Sequence, residues 1–368
     1  MRQGVGLSFR FAALLCLAAC AATIAVAQDY DALTAEKRMF PGIGPGLRAV
    51  RRGANGNYYV LAAPAPGLTV YDPQGKTLLQ IGPPPAGQNP AEAPPNTIVY
   101  GEDADVDAEG RIFVADRGVN AVKIFSPRGD LLRSIAVAAP VSLAAISGGE
   151  LAVSTLRSPH LVTVFDGSGK VVREFGDPAD ITERSELNRF LNIGRLASDP
   201  QGRVYYGFAY LPEPTVRQFD RNGYGGIEVQ LTGLDFIAQA QAVRREIDRQ
   251  EKRGDSPSFK RVMTAVGVDP ASGEVWMAIG NTLLRFDREG NRRATYKLYT
   301  PEGARLDTTT ILIESNRMLI GGDPLGVYEF ERPDKRRRID PISSTAPSRK
   351  QAPPLKRTQH AVSHEKWP

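Results

Sequence analysis

The stretch Asp105-Val106-Asp107-Ala108-Glu109-Gly110-Arg111-Ile112-Phe113-Val114-Ala115-Asp116 places a tight turn directly before an apolar strand. Aspartate accepts a backbone hydrogen bond at the start of such a turn, and Gly110 can take the positive φ that closes it. The residues that follow the turn are rich in β-branched and aromatic types, as in half-buried strands. A second apolar run follows at residues 122–125. The stretch therefore predicts antiparallel strands joined by tight turns.

This turn-to-strand phrase returns along the chain and alternates with a second turn phrase. Copies of the first begin at residues 55, 109, 148, 201, 272 and 315, the last without glycine. The second has the form Tyr71-Asp72-Pro73-Gln74-Gly75 and returns at residues 125, 165, 219 and 286. Glycines of the first phrase recur at intervals between 39 and 71 residues. Long-period β repeats are typical of a propeller, whose closed ring protects the sheet edges.

Six repeat units can be counted, starting near residues 47, 102, 140, 193, 263 and 308. The sixth has only three strands before Pro333. Residues 37–42 look like its missing outer strand, because residues 173–176 occupy the same place in the third unit. The sequence therefore predicts an all-β, six-bladed β-propeller over residues 28–332, in which the N-terminal strand closes the last blade.

The second unit resembles the NHL repeat of six-bladed β-propellers, through residues 105–116, Asn120 and residues 122–125. The other units match in turn and strand pattern only. At the place of Asp116 they carry Ala62, Thr155, Phe208 and Ile279. The resemblance covers residues 37–332 and implies the fold. It leaves the activity open, because the family includes binding scaffolds as well as lyases and lactonases, and some eukaryotic members bind RNA.

The charge of the 368-residue chain is concentrated at its ends. The formal net charge is +5, but residues 1–27 contribute +2 and residues 331–368 contribute +6, which leaves −3 for residues 28–330. A nucleic-acid-binding fold needs positive charge in the fold itself, so we expect no nucleic-acid partner. Only one of the three histidines, His160, lies in the body of the chain, which excludes a poly-histidine zinc site. We expect no cofactor and no metal.

The first 27 residues have the features of an export signal. Arg2 and Arg10 are followed by an apolar run over residues 11–24, and Ala25-Val26-Ala27 forms a small-x-small cleavage site. The alternative is a lipobox ending at Cys20, which would then be the lipidated first residue of a lipoprotein. Both readings place the protein outside the cytoplasm, in the periplasm or cell envelope. Because Cys16 and Cys20 are the only cysteines, the mature fold has no disulfide.

Three long inserts are predicted to lie between blades, at residues 83–100, 177–192 and 233–262. Connections between blades open on one face of a propeller, whereas the short glycine turns open on the other. Long loops on a rigid scaffold are where binding commonly occurs. The third insert, between blades 4 and 5, predicts a helix over residues 235–253, capped by Asp235 and ended by Gly254. Its predicted inner positions are Phe236, Ile237, Ala240, Val243 and Ile247, and its predicted solvent positions are Arg244, Arg245, Arg249 and Lys252. It is predicted to be a lid or docking helix, or a helix packed on the rim.

The mouth of the axial channel should be lined by residues that enter each innermost strand. The candidates on these strands are Arg48, Asp103, Arg195, Arg261 and Asp307, with Arg117, Asn120, His160 and Tyr210 on neighbouring loops. A calcium-dependent lactonase would need several oxygen ligands at the axis, whereas here arginines outnumber carboxylates. This pattern favours a small anionic ligand, or salt bridges alone, over a metal. The turn aspartates Asp72, Asp166, Asp220 and Asp287 are interpreted as turn caps.

Residues 333–368 are rich in Lys, Arg, Pro and Ser without apolar periodicity, which predicts a disordered basic tail. The tail is either solubilising or a contact to an anionic membrane or envelope polymer. The resulting hypothesis is an exported, monomeric binding scaffold that engages a protein or a small anionic ligand on the insert-bearing face. The alternative is a propeller-type hydrolase, lactonase or lyase that acts at the axial pocket.

Overall fold

The computed structural model describes residues 30–89 and 92–334, and these residues form six separate β-sheets. The predicted leader over residues 1–27, its Cys20, and the tail from residue 335 onward lie outside the described residues. The six sheets are the blades of a propeller, as the repeat pattern predicted.

Blades 1 to 4 each contain four consecutive antiparallel strands. Blade 1 has β3 (Leu47–Arg52), β4 (Tyr58–Ala62), β5 (Gly67–Tyr71) and β6 (Thr77–Ile81). Blade 2 has β7 (Gly101–Val106), β8 (Ile112–Asp116), β9 (Ala121–Phe125) and β10 (Leu131–Ala136). Blade 3 has β11 (Pro140–Ile146), β12 (Glu150–Thr155), β13 (Val162–Phe165) and β14 (Val171–Phe175). Blade 4 has β15 (Gly194–Ser198), β16 (Val204–Phe208), β17 (Thr215–Phe219) and β18 (Gly225–Gln230).

Blades 5 and 6 each receive a strand from the N-terminal segment. Blade 5 has β19 (Ala265–Val268), β20 (Val275–Ile279), β21 (Thr282–Phe286) and β22 (Arg292–Tyr299), and β1 (Asp31–Thr34) adds to it parallel to β22. Blade 6 has β23 (Asp307–Ile313), β24 (Arg317–Asp323) and β25 (Gly326–Glu331), and β2 (Lys37–Met39) pairs antiparallel to β25. The predicted closure of the last blade is confirmed, whereas β1 was not predicted.

The hydrophobic core is divided among the junctions between blades. Each of six buried clusters joins one pair of neighbouring blades, including the pair of blade 6 with blade 1. The innermost strands also pack on one another around the ring, and β23 packs on β3. Because burial of apolar area is the main stabilising term, every junction contributes to closure of the ring.

All three long inserts lie on the same face, as predicted. Residues 83–100 follow β6, residues 177–192 connect β14 to β15, and residues 233–262 connect β18 to β19. We call this side the insert-bearing face, and the opposite side, which carries the turns between first and second strands, the turn-bearing face. The first insert is fastened to blade 2 by Asp116, whose carboxylate accepts hydrogen bonds from the backbone N–H groups of Val99 and Tyr100. Lys123 strengthens this attachment, because its ammonium lies 3.1 Å from Asp116 Oδ2 and donates to the Thr97 carbonyl.

Two α-helices lie in the described inserts, of which only the second was predicted. The first, α1 (Ser185–Leu191), lies between blades 3 and 4, and the second, α2 (Leu234–Arg253), lies between blades 4 and 5. Gly254 ends α2 with a φ of 73°, as predicted. The predicted cap Asp235 is wrong: Gly233 is the N-cap, and Asp235 in the first turn pairs with Arg292 at 3.2 Å instead.

The faces of α2 agree with the prediction at all but one position. Phe236, Ala240 and Ile247 are buried and Val243 is half-buried, whereas Ile237 was predicted to point inward and is 41% exposed. The predicted solvent residues are exposed; these are Arg244, Arg245, Arg249 and Lys252. Neither described helix is long and apolar enough to cross a bilayer.

Candidate functional site

The entrance of the channel on the insert-bearing face holds a network of arginines and carboxylates. Arg48, at the start of β3, donates from Nη2 to the Tyr100 hydroxyl at 2.6 Å, and its Nη1 lies 4.0 Å from Glu102 Oε2. The Nε of Arg48 is buried and donates to no acceptor in the part of the chain that the structure describes. Arg117 reaches the same carboxylate from its loop, with 2.9 Å between its Nη1 and Glu102 Oε1. The network therefore retains an unused donor.

Asp103 is the centre of this network and is fully engaged. Its Oδ1 accepts from Arg51 Nη2 at 3.1 Å, and its Oδ2 accepts from the Ser142 hydroxyl. Arg195 Nη1 lies 3.9 Å from the same Oδ2 and donates to the Glu102 carbonyl at 2.8 Å. Asp103 thus ties the inner strands of blades 1 to 4 together, which is the salt-bridging alternative of the sequence prediction.

Positive charge exceeds negative charge at this entrance. Five guanidinium groups face three carboxylates: Arg48, Arg51, Arg117, Arg195 and Arg261 against Glu102, Asp103 and Asp105. Burial and, after it, the neighbouring charge of Arg261 lower the pKa of Arg195 to about 10. Burial also raises the pKa of Asp105, although the charge of Arg51 opposes this. An added anion at the entrance would stabilise the charged form of Arg195.

A cavity of about 590 Å³ adjoins the entrance, beneath α2 and beside blade 5. Four basic residues line it: Lys260, Arg261, Lys297 and Arg305. Its three acidic residues are already paired, since Asp235 contacts Arg292, Asp307 lies 3.0 Å from Arg305 Nε, and Glu246 pairs with Arg249. Within residues 30–89 and 92–334, no ion pair engages Lys260, Arg261 or Lys297.

Lys297 is the most constrained of these cations. Its Nζ donates to Thr282 Oγ1 at 2.6 Å and lies 4.7 Å from the centre of the Tyr30 ring. Burial and the charge of Arg305 lower the pKa of the Lys297 ammonium below its usual value. A bound anion would favour the protonated form of this side chain.

The structure places the nine predicted site residues in three groups. Four of them form the entrance: Arg48, Asp103, Arg117 and Arg195. The second group is Arg261 and Asp307, which both line the cavity beneath α2. The charge of Arg261 also lowers the pKa of Arg195. The other three lie elsewhere and serve different contacts: Asn120, His160 and Tyr210.

These three residues have local roles. The side-chain carbonyl of Asn120 accepts from the Ala139 N–H at 2.9 Å and so braces the loop between blades 2 and 3. His160 lines a separate cavity of about 310 Å³, and its Nδ1 lies 4.0 Å from Asp177 Oδ1. Tyr210 packs against Phe190 of α1, with ring centres 4.7 Å apart. The sequence prediction that all nine residues gather at one mouth therefore needs this correction.

Several residues of the site were not predicted. Glu102 directly precedes the predicted Asp103 on β7, and Arg51 lies on β3 with the predicted Arg48, so both could have been found on the strands that were already considered. No pattern in the sequence predicts that Lys260, Lys297 and Arg305 lie together, because it is the packing of α2 over blade 5 that brings them to one cavity.

The turn-bearing face carries a cavity of about 860 Å³ at the ends of the inner strands, larger than the cavity of about 590 Å³ beneath α2. Three acidic residues line this larger cavity. Asp107 and Glu109 share Arg111, at 2.6 and 3.6 Å, and Asp199 pairs with Arg203 at 2.6 Å. We therefore find less uncompensated charge here than on the opposite face.

The turn aspartates cap turns, as predicted. Asp72, Asp166, Asp220 and Asp287 each accept two backbone N–H groups through Oδ1. Each lies in a different blade. In the described residues, no group of three or more His, Cys, Asp or Glu side chains is arranged to hold a metal ion.

Comparison with known proteins supports the fold and nothing finer. No family model matches the chain, so the resemblance to NHL repeats is not confirmed, and no curated protein matches it. A catalytically inactive virginiamycin B lyase from Staphylococcus aureus, solved with quinupristin, is similar with a TM-score of 0.52 and 11% identity over 80% of this chain and 83% of that chain. The WD40 β-propeller domain of Doa1 is similar with a TM-score of 0.50 and 11% identity over 80% of this chain and 82% of that chain. Likeness at this identity shows the propeller fold alone.

Proposed function

We propose that this protein is an exported propeller scaffold that binds a small anionic ligand on its insert-bearing face, in the cavity beneath α2 next to the channel entrance. The observation that carries the proposal is Arg261. Arg261 is a half-buried residue, its charge lies close enough to Arg195 to lower the pKa of that side chain, and it forms no ion pair in the described residues. A half-buried cation without a carboxylate is costly, and a ligand anion would offset that cost.

The neighbouring charges support the same ligand chemistry. Lys260 and Lys297 line the cavity with Arg261 and also lack an ion pair among the described residues, whereas all three cavity carboxylates are paired. The buried Nε of Arg48 adds an unused donor at the entrance. A carboxylate or phosphate group would accept charge-assisted hydrogen bonds from such a set.

We favour a small ligand over a protein partner because the cations lie in a concave space beneath a helix rather than on a flat surface. The fold does not decide between binding and catalysis, since its neighbours include a lyase and a WD40 domain. Binding is favoured over a hydrolase or lyase at the axis because Asp103 and Asp105 are already engaged. Arg51 contacts both of these carboxylates, at 3.1 and 3.7 Å.

The test is calorimetric titration of the full chain with butyrate, octanoate and inorganic phosphate at two NaCl concentrations. We expect one-to-one binding of at least one of these anions, weakened by salt. Arg261→Gln should weaken it about 10- to 100-fold, the loss of one charge-assisted hydrogen bond. Arg245→Gln is the matched control, since Arg245 is exposed and does not line the cavity. Absence of binding, or equal affinities in the two variants, would contradict the proposal.

Export is proposed from the leader sequence, and contact with an anionic envelope surface from the basic tail. Cell fractionation of the full-length chain, with Cys20→Ser to separate lipid anchoring from cleavage after Ala27, tests the first point. Recovery in the cytoplasm would contradict it.

A further inference from the structure

The cavity beneath α2 has an apolar wall as well as a cationic one. Six of its lining residues are apolar side chains: Phe236, Ala242, Val243, Phe259, Val262 and Ile279. Pockets that bind small organic ligands combine apolar side chains with a few polar groups that fix the orientation of the ligand. The cavity therefore offers contacts to an apolar group as well as to an anion.

This wall belongs to two hydrophobic clusters. Phe236 and Ile279 are part of the cluster between blades 4 and 5. Val243 and Phe259 pack against a second cluster, formed by Leu187 and other residues of α1 and α2. The cavity is lined by both clusters, so an apolar molecule placed there would contact both.

The spacing along α2 accounts for the mixed lining. The α2 residues that line the cavity are three or four positions apart, the spacing of residues on one face of a helix. They are residues 235, 236, 239, 242, 243 and 246. This face carries apolar Phe236 and Val243 between the paired acids Asp235 and Glu246. The unpaired cations come from other segments, Lys260 and Arg261 from the chain after α2 and Lys297 from β22.

We infer that the ligand is an amphipathic anion, with one carboxylate or phosphate head and an apolar body of several carbon atoms. This inference rests on the proposed function and narrows its ligand class. The head lies at Arg261 and Lys297, and the body lies against Phe236, Val243 and Phe259. A volume of about 590 Å³ is within the range of pockets that enclose small organic ligands.

A chain-length series tests the inference. Butyrate, hexanoate, octanoate and 1-octanol are titrated calorimetrically into the full chain at fixed ionic strength. We expect affinity to rise by about two- to fourfold for each added methylene. We expect 1-octanol, which has the same body without the charge, to bind at least about tenfold more weakly than octanoate.

The position of the body is tested by filling the cavity. Ala242→Trp places a large side chain at an exposed position that lines the cavity, and we expect it to weaken octanoate binding at least tenfold while changing butyrate binding less. Ala238→Trp is the matched control, because Ala238 is exposed on the same helix and does not line the cavity. Equal effects of the two substitutions would overturn the inference.

The outcomes separate the two proposals. If butyrate binds as tightly as octanoate and Arg261→Gln weakens both, the anion site stands and the amphipathic class is wrong. If no member of the series binds but inorganic phosphate does, the anion site stands and the amphipathic class is wrong. If inorganic phosphate does not bind either, both proposals fail. Vesicles of phosphatidylglycerol distinguish the source of the anion. Pelleting that Ala242→Trp abolishes would assign the site to a bilayer lipid and overturn a free ligand, whereas pelleting unaffected by this variant supports a free ligand.

Discussion

Asp103 shows how a residue at a channel mouth can serve the fold and the site together. Its carboxylate is almost fully buried and is held by Arg51, Ser142 and the backbone of Ala104. A buried charge is tolerated only when its hydrogen-bonding capacity is used. The arginines around Asp103 therefore cannot all be free for ligand, and this is why Arg261, which is not tied to it, is the residue of interest.

Replacing Asp103 by alanine should destabilise the protein strongly. The change leaves the guanidinium groups of Arg51 and Arg195 near the axis without this carboxylate, which costs about 3–5 kcal/mol for a broken buried pair. The free energy of unfolding from urea titration measures the effect. Asp72→Ala is the control: its carboxylate caps a surface turn through two backbone N–H groups, so about 1 kcal/mol is expected. Similar losses in both variants would contradict the central role of Asp103.

Part of the residue network at the channel entrance could be predicted from the sequence, because the starts of strands are predictable. Residues at the start of an innermost strand lie near the axis regardless of how the loops are built. The prediction that Arg48, Asp103 and Arg195 lie close together therefore agrees with the structure. Loop residues do not obey this rule. His160 and Tyr210 turn toward a second cavity and an aromatic cluster, because local packing rather than blade geometry directs them.

The two helices form one structural element on the insert-bearing face. Leu187 and Leu191 of α1 pack against Ile247 of α2. The ring of Phe190 lies tilted against that of Phe259, with ring centres 5.9 Å apart. Arg184, just before α1, donates to the Gln250 carbonyl near the end of α2 at 2.9 Å. The position of α2, and so the roof of the cavity, depends on this contact.

Ile247→Asp should detach α2 from α1 without unfolding the blades. A buried carboxylate in place of an apolar side chain is unfavourable, so the helix is expected to undock, and octanoate affinity should fall at least tenfold. Limited proteolysis should show new cleavage within residues 234–262, while the far-ultraviolet β signal of the blades is retained. Ile237→Asp is the control, because Ile237 lies on the same helix and is 41% exposed. Loss of the blades, or equal effects of both variants, would contradict this role of the contact.

Some elements of secondary structure can be predicted from the sequence more easily than others. The four-stranded blades repeat a turn chemistry that can be recognised locally, with aspartate at the start and glycine at positive φ, as in the turns that end at Gly75 and Gly169. The strand β1 has four residues and pairs in parallel with β22, some 260 residues away. No turn motif connects the two strands, so the local sequence does not predict this pairing. The seven-residue α1 is too short for a clear periodic pattern.

At the scale of the whole molecule, the N-terminal segment closes the ring at three places. β1 extends blade 5, β2 completes blade 6, and Phe40 then packs on Tyr58 and Tyr71 of blade 1, with ring centres 5.2 and 4.8 Å apart. Ten residues, 31–40, thus contact three successive blades. In a closed ring each blade packs on two neighbours, so loss of a contact at one junction also weakens the packing at the two adjacent junctions.

Removing the Phe40 ring should therefore destabilise the protein and open it first between blades 6 and 1. Phe40→Ala deletes a buried aromatic side chain, which costs about 3–5 kcal/mol in a packed core. Phe40 also has a φ of 52°, a conformation that glycine adopts without strain, so Phe40→Gly should be no more destabilising than Phe40→Ala. Urea unfolding gives the free energies, and hydrogen exchange should show earlier loss of protection in β25 and β3 than in blades 2 and 3. Leu78→Ala, at an exposed position of β6, should change stability by no more than about 0.5 kcal/mol. Uniform loss of protection around the ring, or a Phe40→Ala variant as stable as Leu78→Ala, would contradict closure by this segment.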